Sequence, residues 1–203
     1  MANGTGHDVD VETSAVTVPY DRARQIVLAS QAVFFGALAV CVLLIHDHVA
    51  ENDGISYYGV HAETIVLAVV GYVVASVGLW WFAGILRDEG VESTGWVSAR
   101  VVSVMLILLL VTPFNKGAFL NWAHMTVGVI GALVQLGASW RIMRRRTTTL
   151  ASVGFWVLLF GGVVAAASLP DWGFTHLLTG EIIFEVGYSL CVLEWARELV
   201  TSD

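Results

Sequence analysis

AETIVLAVVGYVVASVGLWWFAGI, residues 62–85, carries one charged side chain, Glu63, and then 22 residues without another. At about 1.5 Å of rise per residue, an α-helix of that length crosses a hydrocarbon core of about 30 Å. Five more apolar runs surround it, at 25–45, 96–113, 120–141, 150–169 and 175–198, separated by short polar stretches. The 203-residue chain is 57% hydrophobic and 13% charged, where soluble domains carry about 25% charged residues. A water-soluble fold has no means of hiding so much apolar surface. The expectation is an all-α integral protein of the cell membrane: a compact bundle of six transmembrane helices over residues 21–203, with the lipid bilayer as its partner. Residues 1–20 are polar and mildly acidic and are expected to form a disordered cytoplasmic tail. They lack the basic start and short apolar core of a signal peptide.

The basic residues orient the bundle. Arg22, Arg24, Arg87, Arg100, Arg141, Arg144, Arg145, Arg146 and Arg197 all fall on one side of the six runs, and only Lys116 falls on the other. Basic residues gather on the cytoplasmic side of membrane proteins, so both termini are expected there. The net charge of −7, with a single lysine, fits a halophilic source. It excludes nucleic acid as a partner, since phosphate binding needs basic patches. Cys41 and Cys191 lie inside apolar runs, in no metal or redox spacing, and read as small buried residues. Tyr57, Tyr58, Trp122 and Trp172 would form an outer aromatic belt, and Trp80, Trp81, Trp96, Trp140 and Trp195 an inner one.

HDHVAENDGISYYGVHAE, residues 46–63, joins the first two runs and packs three histidines among carboxylates. His46, His48, His61, His124 and His176 all map to the outer side, level with Glu63, Asp171 and Glu181. Imidazole and carboxylate groups are the usual ligands of a transition metal, three or four of which must converge. His46, His48 and His61 are the metal-ligand candidates, with a transition metal as the cofactor the pattern suggests; a bis-histidine haem fits poorly, because the histidines cluster near helix ends. No HExxH or paired CxxC motif supports it. A serine hydrolase built on Ser56, His61 and Asp53 lacks a nucleophile signature.

Polar residues inside the spans are informative because lipid tolerates them only when paired or wetted. Asn121, His124, Gly128, Gly131 and Gln135 recur at steps of three and four, which places them on one helix face. That stripe is either a polar lining or close helix packing. Glu181, Glu185 and Tyr188 share a narrow sector of the last helix. Glu185 lies nine residues past His176, roughly 13 Å deeper, where a carboxylate must be neutral, paired or solvated. Arg100 is its natural partner, unless that side chain snorkels back to the surface. The candidate ligand-binding residues are therefore His124, Gln135, His176, Glu181, Glu185, Tyr188 and Arg100.

Ile55, Ser56, Tyr57, Tyr58 and Gly59 before the second run, Thr112, Pro113 and Phe114 at the end of the third, His124 early in the fourth, and Gly180, Glu181 and Trp195 in the last form an ordered set of short motifs. In that order the chain resembles the bacterial and archaeal membrane family called domain of unknown function nine-nine-eight. The resemblance implies six helices and an outward first loop over nearly the whole chain, and it implies no activity. Two departures stand out: the Phe-Pro order is reversed, and Glu181 occupies a position that is often basic in relatives.

The functional expectation is a polytopic membrane protein that binds or transports a small molecule or ion through an outward-facing histidine and carboxylate vestibule above Glu185. In so small a chain, transport would call for a homo-oligomer. A structural or assembly protein and a membrane-embedded, metal-dependent lipid hydrolase are the alternatives, and the reading leans away from an enzyme.

Overall fold

The computed structural model describes residues 8–169 and 173–201. Asp171 and Trp172, singled out in the sequence, lie outside the described residues. The described chain is helical, with seven α-helices: α1 (Asp8–Leu44), α2 (His48–Asp53), α3 (Ile65–Asp88), α4 (Ser93–Val111), α5 (Ala118–Arg145), α6 (Thr149–Ser168) and α7 (Leu177–Thr201), and a 3-10 turn over Ile55–Gly59. Helix α1 begins within the segment expected to be a tail, but its membrane-length apolar part starts at Val18. Among the described residues, five helices are long and apolar enough to cross a membrane: α1 from Val18, α3, α4, α5 and α6. Helix α7 has the length, 25 residues, but carries Glu181, Glu185, Glu194, Arg197 and Glu198.

The helices turn apolar side chains outward. Val66, Trp81, Leu133, Trp156 and Phe160 are each more than 60% exposed, as expected where lipid, rather than water, is the surroundings. The aromatic assignments divide. Trp80, Trp81, Trp122 and Trp140 are exposed on the bundle surface. Tyr57, Tyr58 and Trp195 are not belt residues at all; each is at least 94% buried, and the Trp195 ring packs against Gly95. Both cysteines are buried and free.

Small residues set the helix spacing. A Cβ at Gly187 would stand 2.2 Å from the Leu158 backbone nitrogen, one at Gly161 would stand 2.3 Å from that of Phe184, and one at Gly180 would stand 2.4 Å from that of Ala165. Helices α6 and α7 therefore meet backbone to backbone along three glycines, as small residues permit in membranes. Helices α3 and α4 are clasped differently. The Ser76 hydroxyl donates to the Ser103 carbonyl at 2.9 Å, and the Ser103 hydroxyl donates to the Ser76 carbonyl at 2.8 Å. Helix α1 packs on α3 and α7, and α5 on α4, α6 and α7, which closes the bundle. The basic turns lie together at one end. Arg141 and Arg145 pair with Glu92 at the start of α4, and Arg146 pairs with Glu198 in α7.

Because the α6–α7 seam has no room for a methyl group, Gly187→Ala is expected to cost about 1–3 kcal/mol, the usual price of overpacking. Gly84→Ala, where nothing lies within 4 Å of the added carbon, should instead gain up to about 1 kcal/mol from helix propensity. Thermal unfolding of both variants in the same detergent tests the contrast.

Candidate functional site

The segment between α1 and α3 is a built structure. Asp47 caps α2, its Oδ1 accepting the Ala50 N–H at 2.8 Å. That backbone donor holds the Asp47 carboxyl below its ordinary value, so the cap is present above the usual carboxylate range and is lost as pH falls through the lowered value. Thr64 donates to the Tyr58 carbonyl at 2.9 Å, and His61 Nδ1 donates to the Tyr57 carbonyl at 2.8 Å with its ring stacked on Tyr57. Burial pushes the Tyr58 phenol up to about 12.

Two contacts fasten this segment to distant helices. The Ile55 N–H donates to Glu181 Oε2 at 2.6 Å. Just before it Gly54 has φ +71°, and a Cβ there would stand 2.3 Å from the same oxygen. The positive φ requires glycine, and a side chain there would also push the Glu181 carboxylate aside. The second contact is Ser56 Oγ to His124 Nε2 at 2.7 Å. His124 Nδ1 faces the Thr112 carbonyl at 2.7 Å. A carbonyl only accepts, so Nδ1 carries the proton, and in the neutral ring Nε2 accepts from the serine. One imidazole thus ties the loop to α5 and to the end of α4.

Beneath the loop lies a chamber of about 550 Å³ between α4, α5, α6 and α7. Asn121, His124, Gly128, Gly131 and Gln135, the stripe seen in the sequence, all line it. So do Glu181 and Glu185 from α7, one turn apart on the same face. Gln135 Nε2 donates to Glu185 Oε1 at 3.2 Å. The rest of the wall is largely apolar, with Phe34, Met105, Leu109, Phe114 and Phe184 among its residues. A volume of this size, mostly apolar with a few convergent polar groups, has the character of a small-molecule site.

Four sequence candidates meet here: His124, Gln135, Glu181 and Glu185. The others do not. Tyr188 is packed 97% buried in the bundle and does not line the chamber. Arg100 lies over the rings of Trp80 and Trp96, 5.1 and 5.5 Å from their centroids. It therefore takes the aromatic surface rather than Glu185, which has Gln135. His176 sits against Phe174, with ring centroids 5.0 Å apart. His46 and His48 are exposed and His61 is turned onto Tyr57. Among the described residues no group of three or more His, Cys, Asp or Glu stands close enough to hold a metal ion. The metal set expected of His46, His48 and His61 is therefore not assembled in this structure. Sequence reasoning missed Ser56 as a partner of His124, having set it beside His61 and Asp53. It also passed over Tyr72, a hydroxyl within an apolar run that lines the chamber beside Ser56.

No protein-family model, no curated protein and no solved structure matches the chain.

If Glu181 pins the loop, Glu181→Ala should free the Ile55 amide and expose residues 46–64. Loss of a hydrogen bond to a charged group corresponds to about a tenfold or greater loss of protection. Hydrogen exchange by mass spectrometry should show the change in that segment, with the α3–α4 clasp unaffected.

Proposed function

We propose that this chain is a six-span protein of the cell membrane, with both termini cytoplasmic, that binds or transports a small ligand or ion through the chamber. The observation that carries the reading is the convergence of His124, Gln135, Glu181 and Glu185 on one cavity of about 550 Å³ with an otherwise largely apolar wall. Pre-formed concave sites of this kind are where small molecules bind, and a carboxylate within a membrane span marks a ligand or proton path.

Support for the sixth span comes from the charges on α7. Glu181 is met by the Ile55 amide, Glu185 by Gln135, Glu194 by Arg197 and Glu198 by Arg146. The helix thus turns its carboxylates toward partners in the protein. Support for the orientation comes from the arginines gathered with Glu92 and Glu198 at one end, the arrangement typical of a cytoplasmic face. Kinship with the nine-nine-eight family is part of the same proposal and rests on the order of the short sequence motifs.

Gly128 lines the chamber, and the nearest atom to a Cβ there, in Leu109, is 4.0 Å away. Gly128→Phe should therefore fill the site without disturbing the backbone. Native mass spectrometry of the protein released from gentle detergent should show a bound small mass that is absent from the variant. Identical spectra, with no small mass in either, would count against the reading.

The Ser56–His124 contact favours a second reading, a serine acyl hydrolase at the chamber mouth. Ser56 Oγ would attack an ester carbonyl while His124 Nε2 takes its proton. The alcohol would leave with that proton, and water would release the acyl group from Ser56. A fluorophosphonate probe should then label Ser56, and His124→Ala should abolish labelling. An unlabelled wild-type protein ends this reading.

A further inference from the structure

The polar end of the chamber has a definite chemical sense. Asp53, Glu181 and Glu185 bring three carboxylates to its wall, and no lysine or arginine is among the described residues that line it. Arg100, the cation nearest in expectation, is committed to Trp80 and Trp96. Gln135 adds a second, independent constraint. It is 4% exposed, its amide nitrogen is spent on Glu185, and its Oε1 is buried without a partner. With Glu185 ionised, turning the amide round would set its oxygen against the carboxylate. A wall residue of the chamber therefore holds an acceptor that lacks a donor, beside a carboxylate that lacks a cation. A buried polar atom in that condition is costly until something supplies the missing hydrogen.

Each class of ligand meets this wall differently. An anion meets three carboxylates with no lysine or arginine among the described lining residues. A bare metal ion finds no group of three or more His, Cys, Asp or Glu among the described residues. A neutral apolar molecule fits beside Phe34, Leu109 and Phe184 but leaves both the carboxylates and Gln135 Oε1 unanswered. A quaternary ammonium answers the charge and offers no N–H. A primary or secondary ammonium answers both, with several donors and one positive charge on a compact head. The remaining wall, Phe34, Met105, Leu109 and Phe184, suits an aromatic or aliphatic body. We infer that the chamber takes an amphipathic amine, its ammonium head between Glu185, Glu181 and Gln135 and its apolar body against α4 and Phe184. This inference rests on the ligand-binding reading above and gives it a substrate class.

The test uses the full chain in lipid nanodiscs and three probes of one shape: 2-phenylethylamine, its N,N,N-trimethyl derivative and 2-phenylethanol. Isothermal titration calorimetry should show saturable binding of the amine, with the other two about tenfold weaker or more. Glu185→Gln, nearly isosteric, and Gln135→Met should each weaken the amine about tenfold while leaving the alcohol as it was. Unchanged thermal midpoints would show that both variants remain folded. Equal binding of amine and alcohol, or an amine indifferent to Glu185→Gln, overturns the amine assignment and leaves a ligand chamber standing. Equal binding of the amine and the quaternary cation overturns the role given to Gln135. If none of the three binds, the assignment falls. The mass found or not found in wild type against Gly128→Phe then says whether the ligand-binding reading falls with it.

Discussion

Charge on α7 is the constraint around which the bundle is arranged. Five charged side chains on one 25-residue helix exceed what a lipid-facing span tolerates, since each charge at membrane depth costs several kcal/mol unless partnered. The solution is to surround α7. Helix α6 covers it through a seam of glycines, α1 and α5 flank it, and the α1–α3 loop lies across its first turns. Glu194 is fully buried and Glu198 nearly so, each beside an arginine. The seam between α6 and α7 is thus more than good packing. It places backbone, rather than side chains, against α6, and frees the opposite face of α7 to carry carboxylates inward.

Helix α5 meets that face only in part, and the chamber is the gap. Its small residues, Gly128 and Gly131, keep the wall open where larger side chains would fill it, while Gln135 bridges to Glu185 at the floor. The loop then covers the space through two contacts, Ile55 to Glu181 and Ser56 to His124. Adjacent residues of one 3-10 turn reach α7 and α5 respectively, so the turn spans the mouth between them.

Much of this was legible in the chain. The apolar runs located α3, α4, α5 and α6 to within a few residues, because a span must be both long and nearly uncharged, while α1 begins well ahead of its run, inside the segment read as a tail. The stripe from Asn121 to Gln135 was legible because helical periodicity puts such residues on one face. Whether that face packed or lined a space was not legible, since the answer depends on α6 and α7 as much as on α5. The pairing of Ser56 with His124, 68 residues apart, carries no local signal. Nor does the burial of Tyr57, Tyr58 and Trp195, because belt and core aromatics look alike in sequence. Arg100 illustrates the same limit: its depth suggested a carboxylate partner, yet the rings of Trp80 and Trp96 were also within reach.

The reciprocal serines of α3 and α4 have a mechanical consequence. With each hydroxyl answering the other helix's carbonyl, neither helix can slide without breaking both bonds. Helices α6 and α7 are equally locked by their seam. Helix α5 is tied at both ends, and between them Gln135 reaches Glu185 of α7. At its basic end Arg141 and Arg145 anchor it to Glu92, and at its other end His124 fastens it to Ser56 and Thr112.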